Sequence, residues 1–375
     1  MHFTSRLVPR VALGVLALLA TPSLWAQIMI GQTAGFTGTV AAGVKETSEG
    51  AKLYLDAVNA AGGVHGQTIE LVSMDDQFVP KVAAANAKVL ITEKNVLALF
   101  LTRGTPHAEA MMPLLAEHKV PLVAPSTGAM VLHEPVNRYV FNVRATYQRE
   151  AERAVRHLSL VGFERIAVLQ VDDSFGADAA QGAMRGFSGV DKKPLLIAKF
   201  DRAKPDFTEI APQVAKAEAQ AVLFLGSGAA VADGTKALRA AGSRAQVVTL
   251  SNNASGGFIK QLGEHARGTI VTQIFPYERS LAAPIVKEAS DLAKARGGTG
   301  EVSPAMLEGF AGAKVLVEGL RRAGPGPTRA KLTLALEGLR KFDIGGLEVT
   351  YGPTDHTGLD YADLSIIGSD GKFRR

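Results

Sequence analysis

The sequence predicts an α/β protein of two similar doubly wound lobes, each a parallel sheet with helices packed on it. Three observations carry that expectation. Short apolar runs alternate with helical patterns at βαβ spacing from Ile28 to Gly128. The alternation restarts after Tyr147 and continues to Phe275. The chain has 375 residues, more than one hydrophobic core usually covers, which favours two domains.

The chain opens with Arg6 and Arg10, an apolar run over 11–20 and Ser23-Leu24-Trp25-Ala26. That order is a secretory signal peptide over 1–26, cut near Ala26. Its apolar core is too short to span a bilayer comfortably. A strand over 28–31 then enters a polar loop over 32–38. A helix over 46–61 carries Leu53, Tyr54, Ala57, Val58 and Ala61 on one stripe and stops at Gly62-Gly63. Next come a strand over 68–74, Asp75-Asp76 at its carboxyl end, and a helix over 80–93. The strand over 96–102 breaks into Arg103-Gly104-Thr105-Pro106. Thr105 stands where an N-cap belongs and Pro106 at the first helical position, where a missing N–H costs nothing. A second short run, 120–124, ends in Pro125-Ser126-Thr127-Gly128.

After a strand over 139–143 the pattern starts again, with a helix over 148–161 and a strand over 166–171. Asp172-Asp173-Ser174-Phe175-Gly176 opens the next helix. Further strands are expected over 195–200, 221–225, 246–250 and 269–275. Three helices follow, over 282–296, 303–323 and 328–338, punctuated by Gly324-Pro325-Gly326-Pro327. Short strands over 347–351 and 361–367 finish the chain.

The sequence contains no cysteine. Disulfides, thiolate metal sites, cysteine nucleophiles and a lipidated amino-terminal cysteine are therefore excluded. An exported protein that folds without disulfides fits a bacterial periplasm. The formal net charge is +5, of which Arg6 and Arg10 contribute two, and no basic stripe interleaves with aromatics. Nucleic acid is not called for. Gly226-Ser227-Gly228 lacks the third glycine of a dinucleotide fingerprint, since position 231 is Val231. His107, His118 and His133 are too scattered to suggest one metal site. No catalytic residue, cofactor or metal is expected.

In an open parallel sheet, ligands gather at the strands' carboxyl ends, and a helix N-terminus beside hydroxyl groups suits a carboxylate. The turns at 103–106 and 125–128 are expected to converge on one anionic group, although capping alone also accounts for these residue types. Asp75 and Asp76 read as loop-ordering caps. Asp173 faces the same cleft from the second lobe and is a candidate partner for a cation on the ligand.

Together these residues resemble the type I periplasmic binding proteins, specifically the leucine/isoleucine/valine-binding branch that feeds ATP-driven importers. The resemblance is carried by IGQTAGFTG at 30–38, NAAGGVHG at 59–66, Asp75-Asp76, GTP at 104–106, VPLVAPSTG at 120–128, FNVR at 141–144 and DDSFG at 172–176. It implies two Rossmann-like lobes joined by a three-crossover hinge, with ligand held between them. Lobe 1 would comprise 27–146 and 277–359, and lobe 2 147–276 and 360–375. Carried over position by position, the carboxylate contacts fall on Thr105, Ser126, Thr127 and Gly128. On the second lobe the family's positions align with Phe175, Ser227 and Ser251, and that lobe is expected to close on the ligand through Tyr147, Asp173, Phe175, Ser227 and the Ser251-Asn252-Asn253 turn.

The implied protein is a monomeric, non-enzymatic periplasmic binder that delivers a small carboxylate ligand to an inner-membrane ABC permease. A ligand-sensing partner of a signalling receptor and an exported enzyme on the same lobes are the alternatives. Three departures stand out. Where branched-chain amino-acid binders place an acidic residue against the ligand's ammonium, this chain has Ser251-Asn252-Asn253. A first-loop tyrosine is replaced near Gly43. Of two second-lobe aromatics, which align with Phe175 and Ser227, only the phenylalanine remains. Either Asp173 or Glu150 supplies a counter-charge, or the ligand has no ammonium. Arg103 and Arg144 are candidates for a second carboxylate, and equally for surface or hinge salt bridges.

Overall fold

The computed structural model describes residues 27–375 together with His2. The expected signal peptide, 1–26, otherwise lies outside the described residues. The first sheet has the order β2-β1-β3-β4-β5 and is parallel throughout. Its strands are β1 (Ile28–Ala34), β2 (Ile69–Asp75), β3 (Ala98–Phe100), β4 (Leu122–Val123) and β5 (Val140–Phe141). Between them run α1 (Ala41–Ala60), α2 (Pro80–Thr92) and α3 (Thr105–His118). β1 and β3 are buried almost without interruption, as strands covered on both faces must be.

The second sheet has the order β14-β13-β10-β9-β8-β6-β7. It comprises β6 (Ile166–Val171), β7 (Ile197–Phe200), β8 (Ala221–Leu225), β9 (Gln246–Thr249), β10 (Ile270–Gln273), β13 (Asp363–Ile367) and β14 (Phe373–Arg374). Its helices are α4 (Tyr147–Leu160), α5 (Ser174–Ser188), α6 (Ile210–Lys216), α7 (Gly228–Ala240) and α8 (Gly256–Leu262). β6 to β10 are parallel, whereas β13 and β14 add an antiparallel edge.

The late helices α9 (Pro284–Ala295), α10 (Pro304–Ala323) and α11 (Arg329–Glu337) return to the first lobe and share its core with β1 and β3. α10 lies against α1 so closely that a Cβ on Gly309 would stand 1.8 Å from the Thr47 carbonyl oxygen, and one on Gly50 1.9 Å from that of Met306. Backbone meets backbone there, and only glycine fits. The expected last strands divide. β12 (Glu348–Val349) pairs in a two-stranded hairpin with β11 (Phe342–Asp343), and β13 joins the second sheet.

The chain passes between the two lobes three times, between β5 and α4, β10 and α9, and β12 and β13. The first and third passages bond to each other: Asn142 N–H donates to the His356 carbonyl at 3.0 Å, and Leu359 N–H to that of Val143 at 3.0 Å. Gly358 has φ +82°, and a Cβ there would stand 2.3 Å from the Asn142 carbonyl oxygen, so this crossing also requires glycine.

Candidate functional site

The site forms at the carboxyl ends of the strands, where both lobes turn their loops toward one cleft. Beyond β3 and β4 the chains stay paired for one more step. Arg103 and Ser126 form a parallel bridge, and Ser126 N–H donates to the Thr102 carbonyl at 2.8 Å. This holds the two turns side by side and sets the Thr105 and Thr127 hydroxyls 2.8 Å apart, both buried.

The expectation that Thr105 caps α3 is corrected. Gly104 is the N-cap, at φ 99°, so the chain enters the helix one residue early and Thr105 already lies in its first turn. No side chain caps this helix. Thr146, Asp173, Ser227, Ser255, Ser303 and Thr328 each cap theirs. The first N–H groups of a helix have no intrahelical acceptor, so α3 presents donors and partial positive charge beside two hydroxyls.

The second lobe supplies the opposite wall. Tyr147 begins α4 and packs edge-on against Phe175 in the first turn of α5, with centroids 4.8 Å apart. Burial pushes the Tyr147 hydroxyl's pKa up, so it stays protonated. Ser227 caps α7, accepting from Ala230 N–H at 3.5 Å. Thr105, Tyr147, Phe175, Ser227 and Asn252 line a cavity with Val40, Phe78, Arg103, Gly104 and Arg202. Its volume is about 20 Å³, room for about one water. Arg103 donates across the cleft to the Asn252 carbonyl. Glu46 accepts from Gly256 N–H at 3.1 Å and Gly257 N–H at 2.8 Å, and Asp178 from Met130 N–H at 3.0 Å.

The other expected residues stand behind this wall. Thr127 supports Thr105, and Ser126 accepts from Arg103 at 3.4 Å. Gly128 packs under the first passage, where a Cβ would stand 2.5 Å from the Ala145 carbonyl oxygen. Asp173 caps α5 through Gly176 N–H at 3.1 Å and is ion-paired with Arg202. Ser251 belongs to a network below the cavity. There the buried Arg144 meets Glu150 and donates to the Ser251 hydroxyl at 2.9 Å. The second Glu150 oxygen accepts from Ser251 N–H at 2.9 Å and from the Thr272 hydroxyl.

Phe78 and Arg202 were not expected at the site. Each lies just past the carboxyl end of a strand, β2 and β7, so the rule that singled out Thr105 also covers them. Phe78 stacks on His107 at 4.4 Å and carries the Arg202 guanidinium 4.8 Å above its ring. Burial, with Arg202 and Arg103 nearby, lowers the His107 pKa to about 4, so its ring is neutral. Among the described residues, no cluster of three or more histidine or acidic side chains is placed to hold a metal.

A family model described as "Periplasmic binding protein" matches residues 27–371. The chain belongs to the periplasmic binding protein family. Members are solute-binding proteins rather than enzymes. The chain is similar to "Leu/Ile/Val-binding protein homolog 3" of Brucella melitensis, at 26% identity over 93% of each chain. Among solved structures it is similar to a substrate-binding periplasmic protein from Ralstonia solanacearum. That match has a TM-score of 0.85 and 31% identity, over 92% of this chain and 99% of the other. A possible leucine/isoleucine/valine-binding protein from Rhodopirellula baltica SH 1 aligns with a TM-score of 0.86 and 25% identity, over 95% and 98%. These matches show the periplasmic binding protein fold of two α/β lobes.

Proposed function

We propose that this periplasmic binding protein captures a small carboxylate-containing solute between its lobes and hands it to an inner-membrane ABC permease. The observation that carries the reading is the uncapped N-terminus of α3 beside the Thr105–Thr127 hydroxyl pair, on the wall of the inter-lobe cavity. Helix N–H groups and hydroxyls donate to a carboxylate, and Tyr147, Phe175, Ser227 and Asn252 close on the rest of the ligand from lobe 2. Closure follows because a ligand touching both lobes binds the closed form more tightly and shifts the hinge equilibrium toward it. The three passages near 146, 276 and 359 serve as that hinge. The names of the Brucella and Rhodopirellula proteins, which refer to leucine, isoleucine and valine, support an amino acid or a related acid as the solute class.

A thermal-shift screen of residues 27–375 against amino acids, aliphatic and aromatic acids and dicarboxylates tests the reading. A ligand at 100 times its Kd stabilises by about 2.7 kcal/mol. At least one carboxylate is expected to raise the melting temperature saturably and to be recovered unchanged. No stabilisation by any carboxylate, or conversion of the bound compound, would overturn it.

A further inference from the structure

Among the residues that could answer charge on a ligand, nearly all are already committed. Glu150 has both oxygens occupied, by Arg144 on one side and by Ser251 N–H and the Thr272 hydroxyl on the other. Asp173 is held by Arg202 and by the N-terminus of α5. Neither is left for a ligand ammonium. Arg144 is likewise spent, between Glu150 and Glu308.

Arg103 is different. It is 5% exposed, and the two groups its guanidinium donates to, the Ser126 hydroxyl and the Asn252 backbone carbonyl, are neutral. No carboxylate among the described residues lies within ion-pair distance of it. Its guanidinium occupies the space beside Gly43, where a Cβ would stand 3.9 Å from both terminal nitrogens. A buried cation without a counter-charge is costly, and an anion arriving at the cleft removes that cost. With Arg202 balanced by Asp173, the cavity wall carries one net positive charge.

Asn252 adds a second, independent observation. Its side-chain nitrogen donates to the Gly226 carbonyl at 3.0 Å and to the Asn253 side-chain oxygen at 3.2 Å. Those two acceptors fix the amide's orientation and leave Oδ1 as a buried acceptor with no partner, in a residue 9% exposed on the cavity wall. A neutral acceptor satisfies a hydroxyl fully but does not neutralise an ammonium.

We propose that the ligand is a net-anionic organic acid carrying a neutral hydrogen-bond donor, such as a 2-hydroxy acid, rather than a zwitterionic α-amino acid. Its carboxylate pairs with Arg103 as well as with the Thr105 corner, and its donor meets Asn252 Oδ1. This rests on the capture of a carboxylate solute between the lobes.

Titration calorimetry on residues 27–375 with pairs of matched carbon skeleton, 2-hydroxyisocaproate against leucine and malate against aspartate, separates the two. In at least one pair the hydroxy acid is expected to bind on the order of 100-fold more tightly than the amino acid. Arg103→Met should weaken that binding by at least about tenfold. Asn252→Asp, which installs a carboxylate of the same shape at the expense of the amide's donations to the Gly226 carbonyl and the Asn253 side chain, should shift the preference toward the amino acid in folded protein. It keeps the proposal testable if Arg103→Met does not fold. An amino acid that binds wild type as tightly as its hydroxy counterpart, or an unshifted preference in Asn252→Asp, overturns the inference and leaves carboxylate capture standing. Binding by no member of either pair overturns the inference as well. Hydroxy-acid binding that ignores Thr105→Val overturns the placement of the carboxylate at the Thr105 corner, with carboxylate capture still standing.

Discussion

Replacing Glu150 with glutamine is expected to destabilise the protein far more than replacing Glu308, although both carboxylates lie beside Arg144. Glu150 is fully buried, and its two oxygens serve different partners. One meets the guanidinium, and the other accepts from Ser251 N–H at 2.9 Å and from the Thr272 hydroxyl. Glutamine has one acceptor and one donor in the same shape. Whichever way it turns, its NH₂ faces either the Arg144 cation or the Ser251 and Thr272 donors. One half of the network is lost, and Arg144 keeps only the more distant Glu308. Removing one partner of a buried pair costs about 3–5 kcal/mol. Glu308 stands 3.6 Å from Arg144, and neither the Glu308 Oε1 nor the Arg144 Nη1 that face each other makes a hydrogen bond. Glu308→Gln should therefore cost only about 1 kcal/mol. Urea unfolding of both variants, followed by far-UV circular dichroism, measures the difference. Equal losses, or a loss below about 1 kcal/mol for Glu150→Gln, would refute the division of roles.

Gly309→Ala should destabilise the first lobe by about 1–3 kcal/mol or more, because the new methyl group would meet the backbone oxygen of Thr47 and α1 cannot yield without leaving its core; a thermal midpoint equal to wild type would contradict this. Two buried groups should tilt the pH profile in opposite directions. Burial, with Arg144 nearby, lowers the His133 pKa from 6.5 to about 4, so its stabilising neutral form contributes fully above 6.5 and is lost as pH falls toward 4. The contribution is about 3 kcal/mol at most. His133→Leu should gain stability relative to wild type as pH falls through that window. Asp76 has its pKa raised by burial from 3.8 to about 6, so its contribution is present below 3.8 and lost as pH rises through 6. Asp76→Asn should gain relative to wild type as pH rises from 4 to 6. Urea midpoints at pH 4.5, 5.5 and 7 test both, and parallel profiles would refute the assignments.

How much of this was legible in the sequence depends on how local the cause is. The strands over 166–171 and 221–225 coincide with β6 and β8 to the residue, because each is an apolar run, broken only by Gln170 in β6, buried on both faces. α1 begins at Ala41 rather than near Glu46, since Ala41, Ala42 and Gly43 form a first turn too small to show an apolar stripe. β4 and β5 pair over only two residues each, because their ends are given over to the turns that build the cleft. The antiparallel direction of β13 leaves no trace in an apolar run, which reads the same either way. At the site, Thr105 follows from its place after a strand, but its role in the turn depended on the backbone angle of Gly104. The choice between Arg103 and Arg144 as an anion partner was not local at all. Glu150 and Glu308, which occupy Arg144, lie 6 and 164 positions away in sequence.

The most direct test of carboxylate capture is the calorimetric Kd of Thr105→Val for the best-binding carboxylate, compared with wild type. Valine keeps the shape of threonine and removes only the hydroxyl that faces Thr127. Losing one hydrogen bond to a charged group costs about 1.5–3 kcal/mol, which raises the Kd by about 10- to 150-fold, while loss of the buried Thr105–Thr127 hydrogen bond lowers the stability of the free protein by about 1–3 kcal/mol. An unchanged Kd in a folded Thr105→Val variant would contradict the placement of the carboxylate at α3, and with it the account of how this cleft holds its ligand.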